Sequence, residues 1–356
     1  MLNTARVLID LSAIRHNLAV VRKLCPHSKV MAMIKADAYG HGILPVAKAL
    51  TAADGFAVAR LDEALQLRRA GIEQRILLLG TLLDSDELHL CSKLNIDVTA
   101  HDAESVQLID IVAAQHPLRV WLELDSGMHR LGLAPDAFEN ADRQLHNNPG
   151  ISELLHWTHF SDAEDLRNDI NDQQLALLQT SRAQQQSAVS IANSASIIGR
   201  ADTHADWVRP GLMLYGINPI KKIDPHQLHI AMHVRANVVA IRSIKKGESV
   251  GYNRTWTAQR DSIIATIGIG YGDGYPRHAR NGTPVWLNGN CVPLAGRVSM
   301  DSITVDITDH ADIKLGDEAE LWGANLSADI VAHHAHTISY ELFTGVTARV
   351  DRTYKD

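Results

Sequence analysis

At 356 residues, with 46% hydrophobic and 21% charged residues, the chain has the balance of an ordinary globular enzyme, which excludes disorder and fibrous repeats. Its formal net charge of -7 argues against a nucleic-acid partner, because phosphate contacts need clustered Lys and Arg. Cys25, Cys91 and Cys291 lie far apart without a Cys-x-x-Cys, so neither a zinc knuckle nor a disulfide framework is written, and a reducing cytoplasm suits this usage.

The opening MLNTARVLIDL carries no secretory pattern, and no apolar run is long enough to span a bilayer, so a cytoplasmic protein without a membrane partner is expected. From there to about residue 225, short apolar runs alternate with segments of helical periodicity, the pattern of a parallel sheet with crossover helices. The expected strands are 30–34, 55–59, 76–79, 96–99, 120–124, 154–158, 189–192 and 212–215, and eight is a barrel number. Between them, Ser12 is placed to cap a helix whose Ile14, Leu18 and Val21 share a face, and Gly71 closes the next helix. Pro135 and Asp136 open another, and the Gln-rich stretch 173–186 reads as a barrel helix.

After about residue 228 the period changes to alternation, in MHVRANVVAIRSI, SIIATIGIG, TPVWLNG and VSMDSITVDIT, with turns at KKGE and at the Asn-Gly pairs 281–282 and 288–289. Only 327–345 looks helical again. The expected fold class is therefore α/β, a (β/α)8 TIM-type barrel over 1–228 and a mostly β C-terminal domain over 229–356, with the first strand a candidate member of either.

In such a barrel, chemistry sits where strands end. Reading outward from the strands gives Lys35, Asp125 with Arg130, His159, Asn193 with Ser194, and Arg209 with Gly211. Singly, each has a plain reading: a lysine meeting water, a hydrogen-bonded core histidine, a surface arginine. Jointly they describe one pocket, with a phosphate site expected near the last two strands. His333, His334 and His336 lack Cys or carboxylate partners at ligand spacing, so they read as a solvated helix and no metal is assigned. GIGYGDG at 268–274 matches neither the dinucleotide nor the P-loop glycine pattern and reads as a β-turn.

At IKADAYGHG, residues 34–42, the chain resembles the cofactor-lysine motif of alanine racemases. The resemblance continues through DSGMHRLG at 125–132, THF at 158–160, ANSAS at 192–196, WVRPGLMLYG at 207–216, VGYNRTWTA at 250–258, IGYGDGYPR at 269–277, GRVSMD at 296–301 and ISYEL at 338–342. It implies interconversion of L-alanine and D-alanine by two bases, on pyridoxal 5'-phosphate bound to Lys35 as a Schiff base. Lys35 would face the D-isomer and Tyr252 the L-isomer, with His159 and Arg209 linked behind the tyrosine.

Tyr39, Ser194, Tyr340 and the backbone of Gly211 and Leu212 would hold the phosphate, with Asn193 beside them, while Arg209 would face the pyridine nitrogen. Arg130 would bond the phenolic oxygen and lie near the substrate carboxylate, to which Met300 adds a backbone N–H. Tyr271 and Tyr340 would narrow the pocket to a methyl side chain. Tyr252, Tyr271, Met300 and Asp301 would come from a partner subunit, making a head-to-tail homodimer the active unit. Supply of D-alanine for peptidoglycan and alanine catabolism would use the same residues.

One position departs from the family pattern. Many members carry a lysine, reported to be carbamylated, where this chain has Glu123. The glutamate offers an anion without modification, so it is expected to pair with Arg130 and orient it; the alternative is a solvated rim carboxylate. Other functions weigh less. Cofactor-holding proteins built on a single barrel lack the second domain, decarboxylases of this fold class pair the ring nitrogen with a carboxylate where this chain has Arg209, and broad-specificity racemases are usually exported and more open.

Overall fold

The protein is described from a computed structural model covering residues 5–80, 84–182, 186–220 and 227–356. The chain divides into two compact units. One comprises Ile14–Ala38 and Gly42–His229; the other comprises the segment ending at Ala13, Tyr39–His41 and Ile230–Asp356.

The strand β1 (Ala5–Asp10) is followed by a helix, Leu11–Leu24, whose Ile14, Leu18 and Val21 are all buried. Its first turn is held by Asp10, which accepts from the Ala13 N–H at 2.9 Å and from the Ser12 hydroxyl at 2.5 Å. Ser12 is thus a donor inside the helix, and the aspartate two residues earlier is the cap.

Eight parallel strands then close a barrel: β2 (Lys29–Met33), β3 (Gly55–Val58), β4 (Arg75–Leu78), β5 (Ile96–Ala100), β6 (Leu118–Glu123), β7 (Ile151–Trp157), β8 (Ala188–Ser190) and β9 (Trp207–Val208). Strands buried on both faces read as continuous apolar runs, as GFAV does; IDVTA alternates in sequence but is buried throughout, its Asp97 and Thr99 being hydrogen-bonded inside the barrel. Crossover helices start at side-chain caps: Asp84 accepts from Glu87 N–H at 2.9 Å and Asp102 from Ser105 N–H at 2.7 Å, while Pro135 opens Pro135–His146. The Gln-rich helix runs Ile170–Ser181, and positions 183–185 of the expected stretch fall outside the described residues.

The eighth strand is not 212–215. It is β9, which pairs Lys29↔Trp207 and Val30↔Val208, whereas Leu212–Tyr215 forms a buried 3₁₀ turn. A short, wholly apolar run is ambiguous between strand and buried turn. Here Tyr215 settles it by donating its hydroxyl to Met33 O at 2.9 Å, while Pro210, lacking an N–H, offers only its carbonyl to Met33.

The other unit is a mixed sheet built on β10 (Met232–Ile244), whose alternating burial matches its alternating sequence. Next along the chain come β11 (Ser249–Val250), β12 (Trp256–Thr257), β13 (Ser262–Ile267), β14 (Pro284–Leu287), β15 (Asn290–Pro293), β16 (Ile303–Asp306), β17 (Glu318–Trp322) and β18 (Asp351–Lys355). The sheet order is β15-β14-β17-β10-β1-β18, with β13 joining β10 to β16. The first strand therefore belongs to this unit, antiparallel to β10 and parallel to β18. Asn288 and Gly289 take φ of 45° and 80°, the geometry a two-residue hairpin needs between β14 and β15.

Two expectations are revised here: in VSMDSITVDIT only Ile303–Asp306 is strand, and 327–345 splits into Ala328–His334 and Ser339–Gly345. The split falls where His336 adopts φ 52°. The turn expected in GIGYGDG is a single 3₁₀ turn at Tyr271–Asp273, closed by Asp273 N–H to Gly270 O at 3.0 Å.

Candidate active site

Beyond β2 the chain makes an uncommon turn. Ala36, Asp37, Ala38 and Tyr39 take φ of 52°, 53°, 53° and 54°, a left-handed conformation in four consecutive residues with side chains. Each such residue costs about 1–2 kcal/mol. Compensation comes from hydrogen bonds: Ala38 N–H to Ile34 O at 2.9 Å, Ile43 N–H to the Asp37 carboxylate at 2.7 Å, and Ala36 N–H to the Glu63 carboxylate at 2.6 Å. Gly40 follows at φ 76°, where a Cβ would stand 2.1 Å from Phe343 O, so no other residue fits. Lys35 enters this turn half-buried. Burial holds its amine below the usual lysine range, with Arg130 and Arg209 adding to the effect and Glu63 opposing it.

Arg209, one residue past β9, is 3% exposed. Its guanidinium donates to Ser190 Oγ at 2.6 Å, Thr158 O at 2.7 Å and Ile191 O at 3.3 Å, and lies over the Trp157 ring at 4.9 Å. All these bonds use the two terminal nitrogens, and Nε makes none among the described residues. Burial lowers its pKa to about 10, with Glu123 opposing, so the group stays cationic at neutral pH.

His159, two residues past β7, receives a bond from Arg209 at Nδ1, 3.4 Å away. Arginine only donates, so Nδ1 accepts and Nε2 carries the proton. Burial, then Arg209, Arg130 and Lys35, push this histidine down to about 3; it is neutral.

Glu123 closes β6 and is 4% exposed, which rules out a solvated rim carboxylate. It shares a small pocket with Asp125, Met128, Arg130, Leu131 and His159. Burial raises its pKa to about 7, against the pull of Arg209 and Arg130. No ion pair within 4 Å joins Glu123 to Arg130 among the described residues, so the expected pair is a longer-range attraction here, and near neutral pH the anion is only partly formed. Arg130 itself is exposed on a loop fastened by Asp125, whose carboxylate takes the N–H groups of Gly127 and His129 at 3.0 Å and 2.9 Å and the His129 ring at 2.9 Å.

Ser194 opens the helix Ser194–Gly199, and its Oγ accepts from Gly211 N–H at 2.8 Å and Met213 N–H at 3.3 Å. The Gly211 N–H, expected to meet a phosphate, is therefore already engaged. The Ser194 hydroxyl keeps its own proton for a ligand, as does the Leu212 N–H, neither being donated among the described residues. Asn193 caps this helix, accepting from Ser196 N–H at 3.1 Å.

In the β unit, Tyr39 and Tyr340 place their ring centroids 5.7 Å apart. Burial pushes the Tyr39 phenol up, so it stays a donor. Tyr252, Tyr271 and Met300 are 65%, 39% and 52% exposed. Tyr271 N–H donates to Ser299 O at 3.0 Å and Gly272 N–H to Met300 O at 2.8 Å, which sets Tyr271 beside Met300. Asp301 pairs with Arg349 at 2.7 Å.

Comparison with known proteins decides what this constellation belongs to. The family model "Alanine racemase, N-terminal domain" matches residues 9–219 and "Alanine racemase, C-terminal domain" matches 231–354. The chain belongs to the alanine racemase family. An alanine racemase of Vibrio vulnificus is 42% identical over 358 residues, covering 100% of both chains. The biosynthetic alanine racemase of Pseudomonas aeruginosa superposes with a TM-score of 0.97 at 42% identity over 100% of both chains. An alanine racemase of Bartonella henselae, described with covalently bound pyridoxal phosphate, gives a TM-score of 0.91 at 32% identity over 99% of both chains.

As a member of the alanine racemase family the chain is a pyridoxal-phosphate-dependent racemase. Its strand-end residues fit that cofactor. A lysine biased toward its neutral form suits an aldehyde, a buried guanidinium with Nε unengaged suits a ring acceptor, and the Ser194 hydroxyl beside Leu212 N–H suits a phosphate. Sequence reading missed the groups that hold these in place. Ser190 and Thr158 fix Arg209, Glu63 grips the residue after Lys35, and buried Gln174 donates to His159 O at 3.2 Å and to Ser126 Oγ at 3.1 Å. Only Glu63 left a trace, as an acidic residue in a helix's first turn.

Proposed function

We propose that the chain interconverts L-alanine and D-alanine with two bases, Lys35 on one face of the α-carbon and Tyr252 of the partner subunit on the other. The observation that carries this reading is Arg209, a cation fixed by three oxygen acceptors at the strand ends with its Nε unengaged. Pyridoxal phosphate, when bound, supplies the electron sink that makes an α-proton removable. Arg209, with Nε–H unengaged, would hold the ring nitrogen and, keeping its own proton, would leave that sink weak, which would disfavour side reactions such as transamination.

Lys35 holds the cofactor and then moves a proton at Nζ on the D face, a task its lowered pKa supports. Tyr252 Oη does the same on the L face, assisted by His159, whose Nε2–H is the outward end of the Arg209–His159 link. The Ser194 hydroxyl, the Leu212 N–H and the phenols of Tyr39 and Tyr340 bind the phosphate, with Gly211 anchoring Ser194 and Asn193 capping the helix behind it. Arg130 meets the phenolic oxygen and the substrate carboxylate, aided by the Met300 N–H of the partner subunit. Tyr271 and Tyr340 limit the side chain to a methyl group, a filter worth about 1–3 kcal/mol per extra methylene.

The active unit is a head-to-tail homodimer. Supporting it, Tyr252, Tyr271 and Met300 are exposed in the single chain, and the Gly251 backbone lies against Arg297, close to Met300 in sequence. Three free thiols support a cytoplasmic setting, and no helix among the described residues is long and apolar enough to cross a membrane.

Purified protein with pyridoxal phosphate interconverts the enantiomers in a polarimeter; no interconversion overturns the proposal. Mixing inactive Lys35→Ala with inactive Tyr252→Phe restores activity if sites are shared, because one site of the mixed dimer is then intact. No recovery after subunit exchange counts against the shared site.

A further inference from the structure

The left-handed turn after Lys35 is gripped by a residue outside it. Glu63, in the first turn of the helix Leu61–Arg69, accepts Ala36 N–H on Oε1 at 2.6 Å, and Ala59 N–H and Arg60 N–H on Oε2 at 2.9 Å and 3.1 Å. One carboxylate thus ties the peptide following the lysine to the loop leaving β3. Ala36, the first left-handed residue, has no glycine to ease its conformation, and among the described residues its N–H donates to this one acceptor.

We propose that Glu63 is a positioning residue for Lys35, clamping the turn that aims the amine and setting a negative charge against it. This rests on the reading of Lys35 as the cofactor lysine. Among the described residues, the charged or titratable groups facing that amine are Arg130, Arg209 and Glu63, with His159 also in the field, so Glu63 is the carboxylate that opposes two cations there. A residue that merely capped its own helix would serve Ala59 and Arg60 alone. The bond to Ala36 crosses to a different element, 27 positions away in sequence.

The test uses the holoenzyme and its Glu63→Gln and Glu63→Asp variants. In Glu63→Gln, kcat falls about ten- to a hundredfold, as misplacement of a reacting group costs, while KM for alanine stays within about twofold. The pH midpoint of the bound cofactor's visible spectrum moves down, since a charge favouring the protonated nitrogen is gone. Amide hydrogen exchange across 34–42 accelerates in Glu63→Gln and less in Glu63→Asp, which keeps the charge and so keeps the midpoint. Parental kcat and midpoint in Glu63→Gln overturn the proposal, and so does a loss of thermal stability alone. If Glu63→Gln does not fold, a shifted midpoint in Glu63→Asp, against the expected constancy, overturns the charge role. Racemisation by the parent enzyme, measured first, separates failure of this proposal from failure of the functional reading.

Discussion

At the strand starts of the barrel, Arg75 and Arg119 share the Asp97 carboxylate, Trp121 Nε1 donates to it at 2.8 Å, and Arg75 also reaches Glu153 at 2.8 Å. At the strand ends, Arg130 and Arg209 act on Glu123 and on Lys35, and Glu123 makes no ion pair within 4 Å among the described residues. Both ends bury charge, but only the first neutralises it by contact. A carboxylate removed from such a paired set leaves uncompensated cations. At the other end burial, reinforced by the neighbouring cations, holds a lysine below its ordinary range and a histidine neutral, while burial raises a glutamate to about 7 against the pull of the two arginines. The same barrel thus spends its contacts on stability at one rim and withholds them at the other.

The sharpest test of this contrast is to remove one group from each rim. Lys35→Ala lowers racemisation by about 10⁴-fold or more, the combined loss of the cofactor's anchor and one base, with little change in the urea midpoint. Polarimetry and borohydride fixation of the cofactor, followed by peptide mapping, read both effects. Asp97→Ala does the reverse: folding stability drops by about 3–5 kcal/mol, because Arg75 and Arg119 lose their shared partner, while turnover per folded molecule holds. If Asp97→Ala instead abolishes turnover in fully folded protein, the two rims are not separable in this way.

Glu123 offers a test with a sign. Its folded pKa of about 7 lies above the ordinary 4.5, so the fold favours the protonated form. That contribution is fully present below pH 4.5 and is lost as pH rises through 7. Glu123→Gln cannot titrate. Relative to it, the parent without added cofactor loses up to about 3 kcal/mol of stability between these limits, measured by urea unfolding from pH 4.5 to pH 8. A stability difference that does not change with pH would mean that Glu123 is already paired.

Much of this was legible before any coordinates. Apolar runs located seven of the eight barrel strands within a few residues; of the groups read outward from the expected strands, Lys35, Arg130, His159 and Arg209 act on one another at the strand ends, and Glu123, singled out by its departure from the family pattern, ends its own strand among them. LMLY at 212–215 misled because a fully buried 3₁₀ turn has no polar face to betray its period. The left-handed turn at ADAY was invisible, since alanine prefers the right-handed helix and no glycine marks the site before Gly40. The partners of Arg209 were beyond reach for another reason. Ser190 and Thr158 are ordinary strand residues until closure of the barrel brings them to one guanidinium.

The smallest expected effect concerns Asn193, whose neighbourhood joins the two roles. Its side chain accepts from Ser196 N–H at 3.1 Å, so it works as a cap, yet the residue it fixes is Ser194, whose Oγ already holds two N–H groups of the 211–213 segment. Asn193→Ala removes one acceptor and lowers stability by about 1 kcal/mol. Because Ser194 then shifts, cofactor retention weakens in parallel, read by dialysis against buffer and residual visible absorbance. Asn193→Ser keeps an uncharged capping acceptor and restores both properties together. Were the asparagine a direct ligand through its amide N–H, the serine, which lacks that amide donor, would restore stability but not retention.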